Sequence, residues 1–363
     1  MIDIKQRLTA ILQISFVSDV HLTVGETIWY RAMGVMQRDG DSLISDSEIA
    51  VLLREFSITT PADKLAVPRQ SGKDGEGFAV TFDAYRLRVD LVYANNKRLA
   101  MVMRKLNGRT PLVEEIGLPP ALIEQIDRPT GLILVTGSTG SGKSTTLAAL
   151  LENLNLKREG HIITIEDPVE YPIVSKKCKV TTREIGLERD ASSFDAALRN
   201  AMREDPDVIM IGEIRDYETM RSAFSAAETG HLVLSTLHTN SAIKTVDRVL
   251  SFFPADEKDW ARNVFSSVLN CVMSQTLVRR SNGNGRTLAY ELMINSANIA
   301  SIIRDDKLQT LSNAIGQSGD SGQTLMNAKL AELVKTNVVS AEEALAAAYD
   351  PNDLRQKLNY HFG

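Results

Sequence analysis

Apolar runs recur through the middle of the chain, LILV at 132–135, HIITI at 161–165, DVIMI at 207–211 and HLVLSTL at 231–237, each followed by a polar or helix-forming stretch. Runs without a polar face, alternating with helical segments, predict buried parallel strands joined by crossover helices. The intervening TTLAALLENL places Leu147, Leu150, Leu151 and Leu154 on one helical face. Upstream the period changes. FAVTFDAYRLRVDLVYANNKRLAMVMRKL, 78–106, reads as β-rich strands broken by a turn at Asn95 and Asn96, residues that tolerate left-handed backbone. Between these regions Pro111, Pro119, Pro120 and Pro129 punctuate a polar stretch. After about 255 the text turns helical: EKDWARNVFSSVLNCVMSQTL, QTLMNAKLAELVKTN and SAEEALAAAYD.

This pattern predicts an α/β protein. A small N-terminal α/β domain with an antiparallel sheet spans 1–105 and a linker 106–129. An α/β nucleotide-binding core spans 130–255, and a helical C-terminal subdomain 256–363.

Composition narrows the class. At 363 residues, 43% hydrophobic and 24% charged, the chain is expected to be globular rather than disordered or fibrous, with room for two domains. A net charge of −5 gives no general attraction to nucleic acid or anionic lipid, and the helix ALRNAMRED offers only Arg199 and Arg203 as a basic strip, so no nucleic-acid partner is expected. Cys178 and Cys271 stand far apart and form no CxxC pair, so neither a disulfide framework nor a cysteine zinc module is suggested. The N-terminus has no signal-type core, and no stretch reaches the roughly 20 apolar residues that span a bilayer. The expectation is a cytoplasmic protein with no integral membrane segment.

The strongest chemical signal is GSTGSGKS, directly after the strand GLILVT and directly before the helix STTLAALLENL. It matches the phosphate-binding pattern G-x-x-x-x-G-K-[ST] in its required strand-loop-helix context. The loop Gly137, Ser138, Thr139, Gly140, Ser141, Gly142, Lys143, Ser144 and Thr145 is therefore predicted to bind ATP. The three glycines let backbone amides converge on the phosphates. Lys143 supplies charge to the β and γ phosphates, and Ser144 a hydroxyl ligand for Mg²⁺.

Two apolar strands end in acids, where open α/β sheets place their ligands: Glu166 and Asp167 after HIITI, and Glu213 after DVIMIG. Glu213 is predicted to activate water. Glu166 is predicted to be a second catalytic acid, and Asp167 a Mg²⁺ ligand, directly or through water. His231 and His238 flank a predicted strand, which sets them about 23 Å apart and on opposite faces, so they do not share a metal.

In order, GSTGSGKSTT, ITIEDPVEY, DPDVIMIGEIRD and ETGHLVLSTLHTN resemble the Walker A, Asp box, Walker B and His box of the secretion-superfamily ATPases, most nearly the PilT-type motors of type IV pilus retraction. The resemblance extends from SDVHLTVGETIWYRAMGVMQRDGD to LAYELMINSANIASII, and the length fits the retraction type. It implies a PAS-like N-terminal domain and a RecA-like ATPase domain. It further implies a homo-hexamer with nucleotide between the two, and an inner-membrane platform protein as partner that keeps the motor peripherally at the cytoplasmic membrane. Arginines of the N-terminal domain then reach the phosphates, a role that falls on Arg88 and Arg104, with Arg86 open as an alternative to Arg88 because both lie on one strand face. The Arg88–Arg104 spacing is one residue longer than the family pattern, which the Asn95-Asn96-Lys97 turn can absorb.

His238 becomes a γ-phosphate sensor, whereas His231 positions the strand or an adjacent subunit. One segment departs: retraction motors carry an AIRNLIREGK-like helix where this chain reads NIASIIRDDK. The function implied is a hexameric Mg-dependent ATPase motor of pilus retraction, with a traffic ATPase of a conjugative or type IV secretion system as the alternative.

Overall fold

The computed structural model describes residues 3–58, 76–106, 109–186, 189–317 and 321–358, so the start of the predicted linker at 107 and 108 lies outside the described residues. Two compact units divide the chain: 1–109 with 166–172 and 182–193, and the remainder.

In the first unit, helix α1 (Ile4–Gln13) buries Ile4, Leu8, Ile11 and Leu12, the spacing of a single helical face. Helix α2 (Asp46–Glu55) starts in a capping box between Ser45 and Glu48. Both contribute to one core with a six-stranded antiparallel sheet, order β3-β2-β1-β6-β5-β4. Its strands are β1 (Val17–Thr23), β2 (Ile28–Ala32), β3 (Val35–Asp39), β4 (Glu76–Phe82), β5 (Tyr85–Ala94) and β6 (Arg98–Leu106). The turn between β5 and β6 is a run of three left-handed residues, Asn95, Asn96 and Lys97, with φ of 45°, 66° and 64°. Asparagine tolerates that region better than most residues. Pairing resumes at Ala94↔Arg98, and the register brings Arg88 directly opposite Arg104.

The second unit is built on a seven-stranded sheet, order β13-β12-β7-β11-β10-β8-β9. The strands are β7 (Gly131–Thr136), β8 (Gly160–Glu166), β9 (Cys178–Glu184), β10 (Val208–Ile211), β11 (Leu232–Leu237), β12 (Leu269–Arg279) and β13 (Arg286–Ile294). The four predicted apolar runs form β7, β8, β10 and β11, which pair in parallel, and β12 extends the parallel set beyond β7. Helices α3 (Pro120–Ile126), α4 (Lys143–Lys157), α5 (Phe194–Ala201), α6 (Tyr217–Glu228), α7 (Ala242–Ser251) and α8 (Lys258–Val268) intervene. Leu147, Leu150, Leu151 and Leu154 of α4 pack in one cluster with Ile133, Val135, Cys271 and Met273 of the sheet.

The helical reading of 256–363 needs correction. EKDWARNVFSSVLNCVMSQTL is helical only as far as Val268; from Leu269 it becomes β12, paired with β7, and β13 follows antiparallel. The cause is burial: β12 is buried at every position from Leu269 to Gln275, so it lacks the alternation that marks a half-exposed strand. A run apolar on both faces does not distinguish strand from buried helix by period alone. Helices resume as α9 (Ala297–Arg304), α10 (Leu311–Gly316), α11 (Met326–Lys335), α12 (Ala341–Ala347) and α13 (Pro351–Lys357).

The departing segment NIASIIRDDK forms α9 and its C-terminal cap. Asp306 stands where the family-like pattern has glycine, and it takes φ 58°. The Lys307 N–H donates to Ile302 O and the Asp306 N–H to Ile303 O, the paired bonds of a Schellman cap. The left-handed cap thus forms without glycine, and the Asp306 carboxylate accepts from Arg262 at 2.8 Å. Among the described residues no helix is long and apolar enough to cross a membrane.

Candidate active site

β7 is buried throughout and delivers the chain into the phosphate loop. Gly137, Gly140 and Gly142 have φ of 148°, 78° and 91°, so all three hold backbone that a side chain would strain. The loop coils into the start of α4, whose first residues are Lys143 and Ser144. The Lys143 ammonium donates to the carbonyls of Gly137 (2.9 Å) and Ser138 (3.1 Å), which folds its chain back over the loop. Among the described residues the buried Ser141 hydroxyl has no hydrogen-bond partner.

A residue that sequence reasoning passed over braces this loop. Gln275, buried on β12, donates through Nε2 to Ser141 O (2.7 Å) and accepts through Oε1 from the Thr146 hydroxyl (2.9 Å). One side chain so fixes both the loop and the first turn of α4. The signal available was a polar pair, Ser274-Gln275, inside an apolar run. A cavity of about 460 Å³ adjoins Gly142 and Thr145, with Leu277, Arg280, Arg286 and Lys329 also on its wall.

Glu213 follows β10, one strand removed from β7 with β11 between them. Parallel pairing puts the C-terminal ends of the three strands on one edge, and His238 leaves β11 there. His238 Nε2 is 3.1 Å from Glu213 Oε1, and Arg215 Nη2 is 2.8 Å from Glu213 Oε2, so the carboxylate is clasped on both oxygens. Burial by itself would raise the Glu213 carboxyl. The hydrogen bond and charge of Arg215, joined by His238, outweigh burial and hold it below the usual carboxylate range. The strand end is anchored by the Gly212 N–H on Ile165 O (2.8 Å) and by the Thr236 hydroxyl on Gly212 O (2.7 Å). Arg215 was not singled out from sequence, although it lies two positions from Glu213.

The two histidines separate as their spacing predicts. His231, at the other end of β11, has Nδ1 2.9 Å from Ala226 O and 3.3 Å from the Thr229 hydroxyl at the end of α6, a positioning contact.

The remaining candidates lie in the first unit. Arg88 and Arg104 are cross-strand neighbours, an arrangement of like charges that costs stability unless each has an anion. Arg88 pairs with Asp90 at 3.5 Å and Arg104 with Asp19 at 2.9 Å. Burial works to raise the Asp19 carboxyl, and the Arg104 hydrogen bond reverses it, leaving the pKa lowered. Asp19 carried no sequence signal because only register brings it opposite Arg104. Arg86 is occupied differently: it sits 3.9 Å from the buried Glu184 and donates to Val169 O at 3.4 Å. Of the two arginines on this strand face, Arg88 is the one beside Arg104. Glu166 is buried and ends β8, and its carbonyl accepts from Ile185 N at 2.8 Å. Glu184 Oε2 also accepts from Val169 N, which ties the segment after Asp167 to this unit.

A phosphate loop between a buried strand and a helix, with a clasped glutamate two strands away on the same sheet edge, defines a P-loop nucleotide hydrolase of the RecA-like kind. Residues 4–346 match the model of the family described as type II/IV secretion system protein. The chain is 40% identical to the type IV pilus retraction ATPase PilT of Pseudomonas aeruginosa over 342 residues, 93% of this chain and 95% of that one. It superposes on a crystal structure of the pilus retraction motor PilT with bound ADP at a TM-score of 0.87 and 38% identity, covering 98% of this chain and all of that one. The Legionella pneumophila ATPase DotB gives a TM-score of 0.80 at 25% identity, with 94% of each chain covered. The chain belongs to the type II/IV secretion system protein family, as a PilT-type ATP-hydrolysing member.

Proposed function

We propose that this protein is the homo-hexameric ATPase motor of type IV pilus retraction, working from the cytoplasmic face of the membrane on an inner-membrane platform protein. The observation that carries the reading is Glu213 clasped by His238 and Arg215 on the phosphate-loop sheet, in a chain that matches PilT across nearly its whole length. In this reading loop amides and Lys143 bind the ATP phosphates, and the cavity beside Thr145 receives the nucleoside. Glu213, kept ionised, orients the attacking water and accepts its proton. His238 donates to a γ-phosphate oxygen, so the Glu213–His238 contact responds to whether that phosphate is present.

Among the described residues no group of three or more His, Cys, Asp or Glu is arranged to hold a metal. Mg²⁺ is commonly bound by one or two protein oxygens with phosphates and water, and a hydroxyl such as that of Ser144 at the end of the phosphate loop is a donor of that kind. Ser144 is assigned as its ligand and Asp167 as a partner through water, with Glu166 acting beside them; when bound, the ion neutralises phosphate charge. Arg88 and Arg104 contribute positive charge to turnover.

Purified Lys143→Ala and Glu213→Ala proteins are expected to lose ATP turnover by at least about a hundredfold, a loss of the order seen when one electrostatic group is removed. Deleting the gene in its host should leave surface fibres extended and stop twitching, with rescue by the wild type and not by Glu213→Ala. Rescue by Glu213→Ala would overturn the role of hydrolysis. The departure at NIASIIRDDK favours a second reading, a traffic ATPase of a conjugative or type IV secretion system, and intact twitching with loss of transfer in the deletion strain would select it.

A further inference from the structure

Successive residues of β12 point to opposite faces of the sheet. Gln275 reaches the phosphate loop, whereas Ser274 meets Thr136, its register partner and the last residue before that loop, with 2.6 Å between their hydroxyls. On the same side stands Thr245 of α7, fully buried, whose hydroxyl is 3.4 Å from that of Thr136 and 2.6 Å from that of Thr239. Thr239 is the residue after His238. A continuous line of four hydroxyls therefore runs from β12, through the residue that enters the phosphate loop, to the residue that follows the histidine.

The Thr245 hydroxyl is also 2.8 Å from Ser241 O and carries one proton, which serves that carbonyl, Thr136 or Thr239, one at a time. The helix bearing it is also held at its start. Glu291, cross-strand partner of Ser274, accepts from the Ala242 N–H at the start of α7 (2.7 Å) and from the Met326 N–H at the start of α11 (3.4 Å). Thr136, Thr245 and Ser274 are fully buried and have no solvent alternative, so they keep such geometry, because each loses a partner if the elements slide apart; Thr239 is half-buried.

We propose that Thr245 is a positioning residue for hydrolysis: through Thr136 and Thr239 it fixes the His238 loop in register with the phosphate loop, so that the histidine meets the γ phosphate in line with Glu213. The proposal rests on the reading of His238 as the phosphate contact. Thr245 itself is fully buried and acts through its neighbours.

The test uses the full-length protein, with kcat and KM for ATP and titration of a fluorescent ADP analogue. Thr245→Val keeps the shape and removes the hydroxyl; it should lower kcat about tenfold, the effect of one such hydrogen bond, with KM and ADP affinity changed less than about twofold. Thr245→Ser should restore kcat. In the His238→Ala background Thr245→Val should have almost no further effect, because both act on one contact. Ser274→Ala, which removes the other partner of Thr136 without altering α7, should lower kcat in the same direction and serves if Thr245→Val does not fold. Wild-type kcat in Thr245→Val overturns the proposal, as does a double variant whose losses multiply fully, or a Ser variant no better than Val. Unchanged turnover in His238→Ala alone would instead sink the sensor reading on which the proposal rests.

Discussion

Glu213 shows how a residue's surroundings define its chemistry. The strand-end position was legible from sequence, but its ionisation is governed by Arg215 and His238, which only folding delivers to its two oxygens. Because the folded pKa is lowered below the ordinary 4.5, the carboxylate remains a competent base as pH falls through the usual carboxylate range. Arg215→Ala removes the main opposing charge and leaves burial to act, so the carboxyl should rise. The acid limb of the kcat–pH profile should then shift to higher pH, while Arg215→Lys shifts it less. An unmoved acid limb in Arg215→Ala would show that another group sets it. The family-like pattern singles out Arg88 and Arg104 in the sequence as candidates, yet not their counter-ions, Asp90 and Asp19. Asp19 lies 85 positions from Arg104 and meets it only through antiparallel register.

At the scale of elements, the phosphate loop was the most legible part because its geometry is local. Its glycines still differ in what they permit. A Cβ on Gly140 would meet nothing within 4 Å, whereas one on Gly137 would lie 2.4 Å from the carbonyl oxygen of Gln275. Gly137→Ala is therefore expected to lose about 2 kcal/mol of stability from backbone strain and contact, together with ADP binding. Urea unfolding and an ADP titration check both, and Gly140→Ala is the milder control. The neighbour that makes Gly137 intolerant is β12, the element that the apolar pattern misassigned to a helix. Its burial on both faces hid the strand, and the same burial makes Ser274 and Gln275 effective, one on each face of the sheet. The cap of α9 carries the opposite lesson: the sequence departs from the family-like pattern at Asp306, and the backbone there still takes a left-handed Schellman cap.

At the scale of the whole molecule, the candidate residues are shared between two compact units, Arg88, Arg104 and Glu166 in one and the phosphate loop, Glu213 and His238 in the other. If the arginines of the first unit serve turnover as proposed, their contribution separates from local stability. Arg104 is largely exposed, and an exposed ion pair contributes under about 1 kcal/mol. Arg104→Gln should therefore leave the urea midpoint almost unmoved while lowering ATP turnover by about a hundredfold or more, as expected of an arginine acting on transferring phosphate. Equal losses of stability and turnover would return Arg104 to a structural ion pair with Asp19.

The sequence by itself determined the parts whose physics is local: the parallel strands written as apolar runs, the glycine loop with its lysine and serine, the acids at strand ends, and the separation of the two histidines. Family-like blocks in order then supplied the class. Tertiary structure decided what depends on partners distant in the chain: β12 as a strand, Gln275 under the phosphate loop, Arg215 and His238 on the two oxygens of Glu213, and the line of hydroxyls through Thr245. Ser274, Gln275, Thr136 and Thr245 are ordinary residues in the sequence, and only burial beside one another, where each hydroxyl or amide has no water to turn to, makes their identity matter.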